Sequence, residues 1–344
     1  MIADRIEGKW IDLFAEVFAK CKVGAGDACA VLSETQSRAL NVQLAELALA
    51  RLGTRPFHVV VPTPRQTALV PIRSTGASVA LRNMGPAISA LAGSVFVADC
   101  TVEGLMHAVE LPQILKGGAR VLYISNEHPD VLERLAPSPA DEQQVRAGMR
   151  LMKEAKVMRV SSPAGTHLEI GIAGARVGGV WGYTEKPGTL SHWPGGLCLG
   201  FPKAGSVNGT LVMAPGDLNL TFKRYLESTV RLTIENDYVT KIDGDSLDAE
   251  LMRDYFAAWG DREAYAVSHV GWGMNTRARW DALMLYDKRD VNGTEQRAFA
   301  GNFLYSTGAN EVAGRHTLGH FDLPFRHCTV ELDGKPVVKD GKLV

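Results

Sequence analysis

Residues 93–100 read GSVFVADC. The apolar run at 95–98 follows a glycine and a serine and is followed by Asp99. A run of this length and composition predicts a β-strand that is buried on both faces. Thr101 follows it and is typical of a residue that caps a helix, which we predict over VEGLMHAVELPQIL at 102–115. A buried strand that leads directly into a helix is the repeating unit of a parallel sheet.

The same alternation of strand and helix continues on both sides of this unit. DACAVLS (27–33), FHVVVP (57–62) and ARVLYIS (119–125) are strand-like, and helix-like stretches separate them. Ser33 stands three residues before Gln36, a capping-box spacing that predicts the start of the first of these helices. Strands separated by helices predict βαβ units and a mostly parallel sheet.

The pattern of apolar and polar residues changes near residue 150. A helical pattern at 142–162, EQQVRAGMRLMKEAKVMRVSS, marks the junction. Beyond it, GTHLEIGIAG (165–174) and STVRLTIENDYVTKIDGD (228–245) alternate apolar and polar residues between turn residues, which predicts antiparallel strands. We therefore expect an α/β domain over residues 1–150 and an α+β domain over residues 151–344.

The composition excludes several classes of function. The 344 residues carry a net charge of −1 and no long basic run, so binding to nucleic acid or to an anionic membrane gains no electrostatic support. The longest apolar stretch is too short to cross a bilayer, and the N-terminus lacks a signal-peptide pattern. Five scattered cysteines without a CxxC pair predict free thiols, so we expect a cytoplasmic protein.

A candidate metal site begins near the C-terminus. His320 and Asp322 lie two residues apart, so on an extended segment both side chains point to the same side. The pattern suits a metal ion, but it also fits a strand end with two polar residues in solvent. His269, in the glycine-rich stretch SHVGWGMN, would complete a set of two histidines and one carboxylate if the fold brings it near. On non-haem Fe(II), such a facial triad leaves three positions open for substrate and dioxygen.

Two further histidines could take part in chemistry. His107 follows the strand GSVFVADC, near the edge where parallel sheets bind ligands, and it could act as a general base. His192 lies in LSHWPGG. For His107, a solvated helix residue is an equally good interpretation on sequence alone.

The second half of the chain resembles the thermophilic metallo-aminopeptidase family, most strongly over residues 163–335. GTHLEIGIAG is similar to that family's GTDL-type strand, and HWPGGLCLGFPKAGSVNGTLV (192–212) is similar to its NxPxGEVxTAPxxGSVNGTLV stretch. HVGWGMN, NFLYSTG and HFDL resemble its ELGIGxN, xxHIALG and HxDL motifs. The resemblance implies an aminopeptidase-like fold.

The ligands of that family's two metal ions, two glutamates, two histidines and an aspartate, are only partly kept. The resemblance places Leu197 and His269 at the two glutamate positions and Asn302 at the first histidine position. Only His320 and Asp322 match the ligand type. Leucine cannot ligate a metal, and a neutral amide replaces histidine poorly, so a two-metal hydrolase is not expected.

The altered ligand set resembles that of an offshoot family, the 2,5-dihydroxypyridine 5,6-dioxygenases of bacterial nicotinate degradation. SHVGWGMN, AFAGNFLYSTG (298–308), HFDLPFRHC (320–328) and YTEKPGTLSHWP (183–194) are similar to that family over nearly the full length. The resemblance implies Fe(II) as cofactor, 2,5-dihydroxypyridine and dioxygen as substrates, and N-formylmaleamate as product. It also implies self-association into a hexamer.

The same resemblance implies roles for individual residues. His269, His320 and Asp322 would hold Fe(II). His107 is the first candidate for the base that takes a proton from a substrate hydroxyl, and His192 is the candidate for a hydrogen bond to substrate or bound oxygen. We expect three residues to line the substrate pocket: Tyr183, Glu185 and Trp193.

Two other functions compete with the dioxygenase. One is a metallo-aminopeptidase with a reduced, one-metal site, which a chromogenic leucyl substrate would detect. The other is a non-catalytic protein that kept the fold and a vestigial metal site, which a measurement of metal content would separate.

Overall fold

The computed structural model describes residues 4–65, 67–70 and 78–344. Its helices are α1 (Gly8–Lys20), α2 (Ala39–Arg51), α3 (Gly85–Ala92), α4 (Leu111–Lys116), α5 (Pro129–Arg134), α6 (Pro139–Glu154), α7 (Leu247–Ala258), α8 (Ala282–Leu285) and α9 (Thr294–Ala298), with 3-10 turns at Arg262–Tyr265, Lys288–Asp290 and Glu311–Ala313. Its strands are β1 (Ala28–Glu34), β2 (Arg55–Val61), β3 (Phe96–Asp99), β4 (Arg120–Ile124), β5 (Val157–Ser161), β6 (His167–Gly171), β7 (Arg176–Val180), β8 (Leu190–Trp193), β9 (Leu197–Phe201), β10 (Val207–Met213), β11 (Leu218–Asn219), β12 (Arg224–Tyr225), β13 (Val230–Glu235), β14 (Tyr238–Asp243), β15 (Val267–Gly273), β16 (Phe303–Asn310), β17 (Arg315–Phe325), β18 (Thr329–Leu332), β19 (Lys335–Lys339) and β20 (Lys342–Leu343).

The first sheet is parallel throughout, with the strand order β2-β1-β3-β4-β8 in the described part of the chain. Helices α1 and α2 cover one face, where Phe14 and Leu44 join a buried cluster with Phe96. Helices α3 and α4 cover the other face through Leu91 and Ile114. Helices on both faces of a parallel sheet are the α/β arrangement that the alternation predicted.

Strand β8 comes from the second half of the chain but belongs to this first sheet. It pairs with β4 in parallel, with His192 opposite Tyr123. The two halves are therefore joined by a shared sheet, and the division into residues 1–150 and 151–344 stays a prediction.

The remaining large sheets are antiparallel. The second has the order β14-β13-β10-β6-β5-β18-β19-β20, and the third has the order β17-β16-β15-β9-β7. One buried cluster connects them with α7: it contains Met158 and Leu232 from the second sheet, Trp272 and Phe321 from the third, and Phe256 from the helix. The predicted α/β part followed by an α+β part is confirmed.

Two predicted helices have different bounds in the structure. Strand β1 continues through Ser33, so the capping-box prediction is wrong and α2 begins only at Ala39. Helix α6 ends at Glu154, well before the end of the helical pattern. There Asp333 accepts the backbone N–H of Val157 at 2.9 Å, and the chain continues as β5.

The helix predicted at 102–115 is wrong over most of its length. Helix α4 starts only at Leu111, and an irregular loop precedes it. The buried carboxylate of Asp99 accepts the backbone N–H groups of Thr101 and Leu105, each at 3.0 Å. Because this acid satisfies donors that a first helical turn would leave open, the chain is stable here as a loop.

The structure bears on two of the compositional predictions. All five cysteines are buried free thiols, and burial raises the pKa of Cys198 to about 12. Within the residues that the structure describes, no helix combines the length and hydropathy needed to cross a bilayer.

Candidate metal centre

A cavity separates the carboxyl edge of the first sheet from the third sheet, the kind of edge at which parallel sheets bind ligands. Its empty volume, which includes its opening to solvent, is about 510 Å³. Its lining consists of Glu103, Met106, Tyr123, His192, Leu197, Leu199, His269, Asn292, Thr294, Arg297, Leu304, His320 and Asp322. Among the residues predicted from sequence, four therefore line one cavity: His192, His269, His320 and Asp322.

Strand β17 brings His320 and Asp322 to the cavity together. The Oδ1 atom of Asp322 lies 3.2 Å from Nε2 of His320, and both side chains are buried. Phe321, between them, belongs to the hydrophobic core. Strand alternation thus places both polar side chains on one face, as predicted from their spacing.

A glycine on the neighbouring strand makes room for His320. Gly308 of β16 pairs with His320, and it has φ +107°. A Cβ at this position would lie 1.9 Å from the carbonyl oxygen of Gly319. Only glycine therefore allows this pairing without a shift of the strand that carries His320.

His269 approaches Asp322 from β15, at an irregularity in the pairing of β15 with β16 between Val267 and Val270. Its Nε2 lies 3.8 Å from Oδ1 of Asp322. Burial lowers the pKa of His269 to about 3, so the imidazole is neutral near pH 7. The neutral ring is the form that binds a metal.

The three residues fit a divalent ion. Ligand atoms about 2.1 Å from an ion and at right angles to one another lie about 3 Å apart. Oδ1 of Asp322 lies 3.2 Å from Nε2 of His320, close to that spacing, and 3.8 Å from Nε2 of His269, which is somewhat longer. Nδ1 of His269 and Nδ1 of His320 are both buried and have no hydrogen-bond partner in the described part of the chain.

The protein holds both oxygen atoms of Asp322. The Ser306 hydroxyl donates to Oδ1, and Nε of Arg297 donates to Oδ2. Burial alone would raise the pKa of Asp322, but Arg297 and His320 hold it well below its usual range. The carboxylate is therefore ionised and fixed in orientation.

His107 lies on the loop after β3, not on a helix, beside His269 and His320 but outside the group of described residues that line the cavity. Its ring centroid is 4.6 Å from that of His320 and 6.1 Å from that of His269. Ligand nitrogens of the three histidines lie within 4.8 Å of one another. Burial and the other histidines lower its pKa well below the usual range, and its buried Nε2 has no hydrogen-bond partner among the described residues. Neutral His107 can accept a proton or act as a third imidazole ligand.

His192 reaches the cavity from the end of β8. Its Nδ1 lies 2.6 Å from the carbonyl oxygen of Pro194. Because a carbonyl oxygen only accepts, Nδ1 carries the proton and Nε2 is left as an acceptor. Burial lowers the pKa of His192 to about 4, so this neutral form persists near pH 7.

The three residues predicted to contact substrate lie elsewhere and are not among the described residues that line the cavity. The Tyr183 hydroxyl donates to Glu142. Glu185 forms an ion pair with Lys22 at 3.5 Å near the surface. Trp193 is fully buried in the cluster beneath α1, and its indole N–H donates to a backbone carbonyl at 3.1 Å.

A polar wall of the cavity was not predicted from sequence. Nδ2 of Asn292 donates to the hydroxyls of Tyr123 and Ser125 at 3.0 and 2.9 Å, and the Ser125 hydroxyl lies 2.7 Å from that of Thr294. The buried carboxylate of Glu127 accepts the backbone N–H groups of Asn292 and Thr294 at 2.7 and 3.0 Å. These residues belong to two segments far apart in the chain, and no local pattern joins them.

Asn302, at a metal-ligand position in the peptidase resemblance, has a structural role here. Its Oδ1 accepts the backbone N–H of Gly273 at 2.6 Å. Its Nδ2 donates to the carbonyl oxygens of Gln296 and Arg297 at 2.8 and 2.9 Å. The amide is thus occupied in fixing the backbone of Arg297, another cavity residue that was not predicted.

Comparison with known proteins identifies the family. A family model described as 2,5-dihydroxypyridine 5,6-dioxygenase matches residues 9–344. The 2,5-dihydroxypyridine 5,6-dioxygenase of Pseudomonas putida KT2440 is 36% identical over 336 residues, which are 96% of this chain and 95% of the relative. The solved structure of the 2,5-dihydroxypyridine dioxygenase from that strain matches with a TM-score of 0.93 at 34% identity, covering 100% of this chain and 98% of the other.

A more distant structure shares the fold. Wild-type AmpT from Thermus thermophilus matches with a TM-score of 0.65 over 98% of this chain and 99% of the other, at 14% identity, which shows a likeness of fold alone. The match to the family model and the identity to the curated relative are much more specific. The chain belongs to the 2,5-dihydroxypyridine 5,6-dioxygenase family, so the prediction of the family and of its class of enzyme is confirmed.

Proposed function

We propose that this protein cleaves 2,5-dihydroxypyridine between C5 and C6 with dioxygen and releases N-formylmaleamate in nicotinate degradation, using one Fe(II) held by His269, His320 and Asp322. Both atoms of dioxygen enter the product, so no further reductant is required. The observation that carries the proposal is the approach of two imidazoles, those of His269 and His320, to one oxygen of the ionised Asp322 carboxylate inside a buried cavity. Fe(II) bound there would supply open coordination positions and the electrons that activate dioxygen.

His107 is the proposed base. It is neutral, its Nε2 has no partner in the described part of the chain, and it lies beside the ring of His320. A substrate hydroxyl in the cavity can therefore transfer its proton to Nε2 of His107, which makes the ring more electron-rich.

His192 is the proposed hydrogen-bond acceptor for the substrate. Pro194 fixes the proton on Nδ1, so Nε2 presents a lone pair to the cavity lining. A second substrate hydroxyl or a ring N–H can donate to it. Two histidines that accept from different groups would hold one orientation of the ring.

The other walls suit a flat heteroaromatic ring. Met106, Leu197, Leu199 and Leu304 give the cavity an apolar side, which excludes water and packs against a ring face. The hydroxyls and amide of the polar wall can meet the ring's polar edge. Leu197 also removes a carboxylate that a two-metal peptidase site would need, so the aminopeptidase alternative gains no support.

We also infer that the protein works in the cytoplasm as a homo-oligomer, with the hexamer implied by the family resemblance. Five buried free thiols support a reducing compartment. No nucleic-acid or membrane partner is proposed, because the net charge is −1 and no basic run is present. Native mass spectrometry tests the assembly, and a monomer at micromolar concentration would contradict it.

The test of the proposed function is reconstitution. Protein purified without oxygen receives Fe(II), and the loss of 2,5-dihydroxypyridine absorbance is followed together with dioxygen uptake. We expect one dioxygen consumed per substrate and about one iron per chain. Iron-free protein is the control, and a chromogenic leucyl substrate is run in parallel for the peptidase. Absence of dioxygen uptake by the iron-loaded protein would refute the proposal.

A further inference from the structure

Arg297 brings a fixed positive charge into the wall of the metal site. Its side chain and that of Asp322 are 11% and 8% exposed, and its Nε donates to Oδ2 of the carboxylate. The Asn302 amide holds its backbone carbonyl at 2.9 Å. The Asn302 amide thus fixes the backbone of Arg297, and the guanidinium of Arg297 donates to one oxygen of the Asp322 carboxylate.

The charge of Asp322 is paired with that of Arg297 before any metal binds. Asp322 contributes one negative charge and Arg297 one positive charge. Glu103 is another carboxylate in the lining of the cavity. An ion that enters therefore meets a carboxylate whose charge is already largely compensated.

We propose that Arg297 acts as the permanent cation of this site: it withholds one oxygen of Asp322 from metal and, by charge repulsion, limits the cavity to a single divalent ion of moderate affinity. This inference rests on the proposed metal site at His269, His320 and Asp322. It assigns Arg297 a positioning role through Asp322. It also explains how the carboxylate can offer Oδ1 alone, which keeps other coordination positions open.

Two effects of opposite sign decide what removal of Arg297 does. Loss of a group that orients a ligand usually weakens metal binding by about 10–100-fold. Loss of a positive charge a few ångströms from a divalent ion strengthens binding, and at an effective dielectric constant of about 20 this exceeds roughly a hundredfold. The charge effect is the larger, so metal binding should become tighter.

Two reciprocal variants separate charge from hydrogen bonding. Arg297→Gln keeps an amide donor for Asp322 but removes the charge, whereas Arg297→Lys keeps the charge and loses the planar guanidinium. Mn(II) is the probe, and unbound Mn(II) is quantified from its EPR signal. We expect Arg297→Gln to bind Mn(II) at least about tenfold more tightly than wild type, and Arg297→Lys to stay within about threefold of wild type.

The matched control is Arg315→Gln. Arg315 forms a buried ion pair with Asp237 at the start of β17, the strand that carries Asp322, but the pair lies outside the cavity lining. Its loss should lower stability without changing Mn(II) affinity. Thermal melts establish folding for every variant, and Arg297→Met, with the same prediction as Arg297→Gln, replaces it if that protein does not fold.

Unchanged or weaker Mn(II) binding by Arg297→Gln would overturn the inference. Equal tightening in Arg297→Lys would overturn it too, because charge would not be the cause. Wild-type protein that binds no Mn(II), Zn(II) or Fe(II) would instead contradict the proposed metal site. Wild-type protein that binds metal but consumes no dioxygen would contradict the proposed function and leave the role of Arg297 standing.

Discussion

The two sides of the cavity hold their functional residues in different ways. On one side, His269, His320 and Asp322 stand on strands of the third sheet, where hydrogen bonds to neighbouring strands fix the backbone. On the other side, His192 lies in the strand that ends the parallel sheet and lines the cavity, and His107, outside that lining, lies on an irregular loop beside His320. Under the proposed function, the residues that would hold the metal lie on rigid strands, and the residues that would accept protons or hydrogen bonds lie at a sheet edge and on a loop.

The largest expected effect comes from substituting the proposed metal ligands on the strands of the third sheet. His320→Ala and Asp322→Ala should each lose stoichiometric iron and at least about 10³-fold in turnover, because only two of the three proposed ligands remain. Iron content and dioxygen uptake are measured on the same samples. The control is His316→Ala, an exposed histidine on the same strand. Full iron and full activity in either ligand variant would place the metal elsewhere.

Substitution of His107, on the loop, should lower turnover without loss of iron. His107→Ala should keep about one iron per chain but turn over about 10²–10⁴-fold more slowly, the usual contribution of a general base. Iron content is measured beside turnover at saturating substrate. Loss of iron would instead show that His107 is a ligand, and the two sides would no longer differ in role.

The strand side was the more predictable of the two, for a physical reason. His320 and Asp322 follow from strand alternation, which is local in sequence. His269 required the family resemblance, because its approach depends on pairing through β16. The loop of His107 was mistaken for a helix, since the buried acid that shapes it, Asp99, competes with helical hydrogen bonds in a way that periodicity does not show.

Proximity to His192 in the sequence did not predict which residues line the cavity. Tyr183, Glu185 and Trp193 are close to His192 in sequence, yet the fold turns them toward Glu142, the surface and the hydrophobic core. Arg297 carried no signal in the sequence, because it lies on α9 and its partner Asp322 lies on β17. The alternation of strands and helices predicted the parallel sheet, but not that β8 would complete it.

A glycine substitution tests whether the strand side is rigid. Gly308→Ala should lower the free energy of unfolding by about 4 kcal/mol, because an alanine there is strained at φ +107° and meets the carbonyl oxygen of Gly319. It should also weaken metal binding through His320. Denaturant unfolding measures the first effect. Gly178→Ala in β7 of the same sheet, where an added Cβ would have no other atom within 4 Å, should change stability by less than about 1 kcal/mol.

His192, on the side of the cavity opposite the metal-site strands, predicts a smaller effect, which is a pH dependence of the free energy of unfolding. Burial lowers the pKa of His192 from 6.5 to about 4, so below pH 6.5 the unfolded chain binds a proton that the folded protein does not. Stability is therefore lost as the pH falls from 6.5 toward 4, by up to about 3 kcal/mol. His192→Gln should reduce this acid-dependent loss, measured by urea unfolding of metal-free protein at pH 7 and pH 4. An unchanged pH dependence would show that His192 titrates normally.

The position of the metal tests the central claim most directly. A crystal structure of anaerobic, iron-loaded protein, with anomalous data at the iron edge, locates the ion among the four candidate ligands. We predict iron about 2.1 Å from Nε2 of His269, Nε2 of His320 and Oδ1 of Asp322, with His107 outside bonding distance. Iron bound by His107, His269 and His320, with Asp322 still held only by Arg297 and Ser306, would contradict the claim.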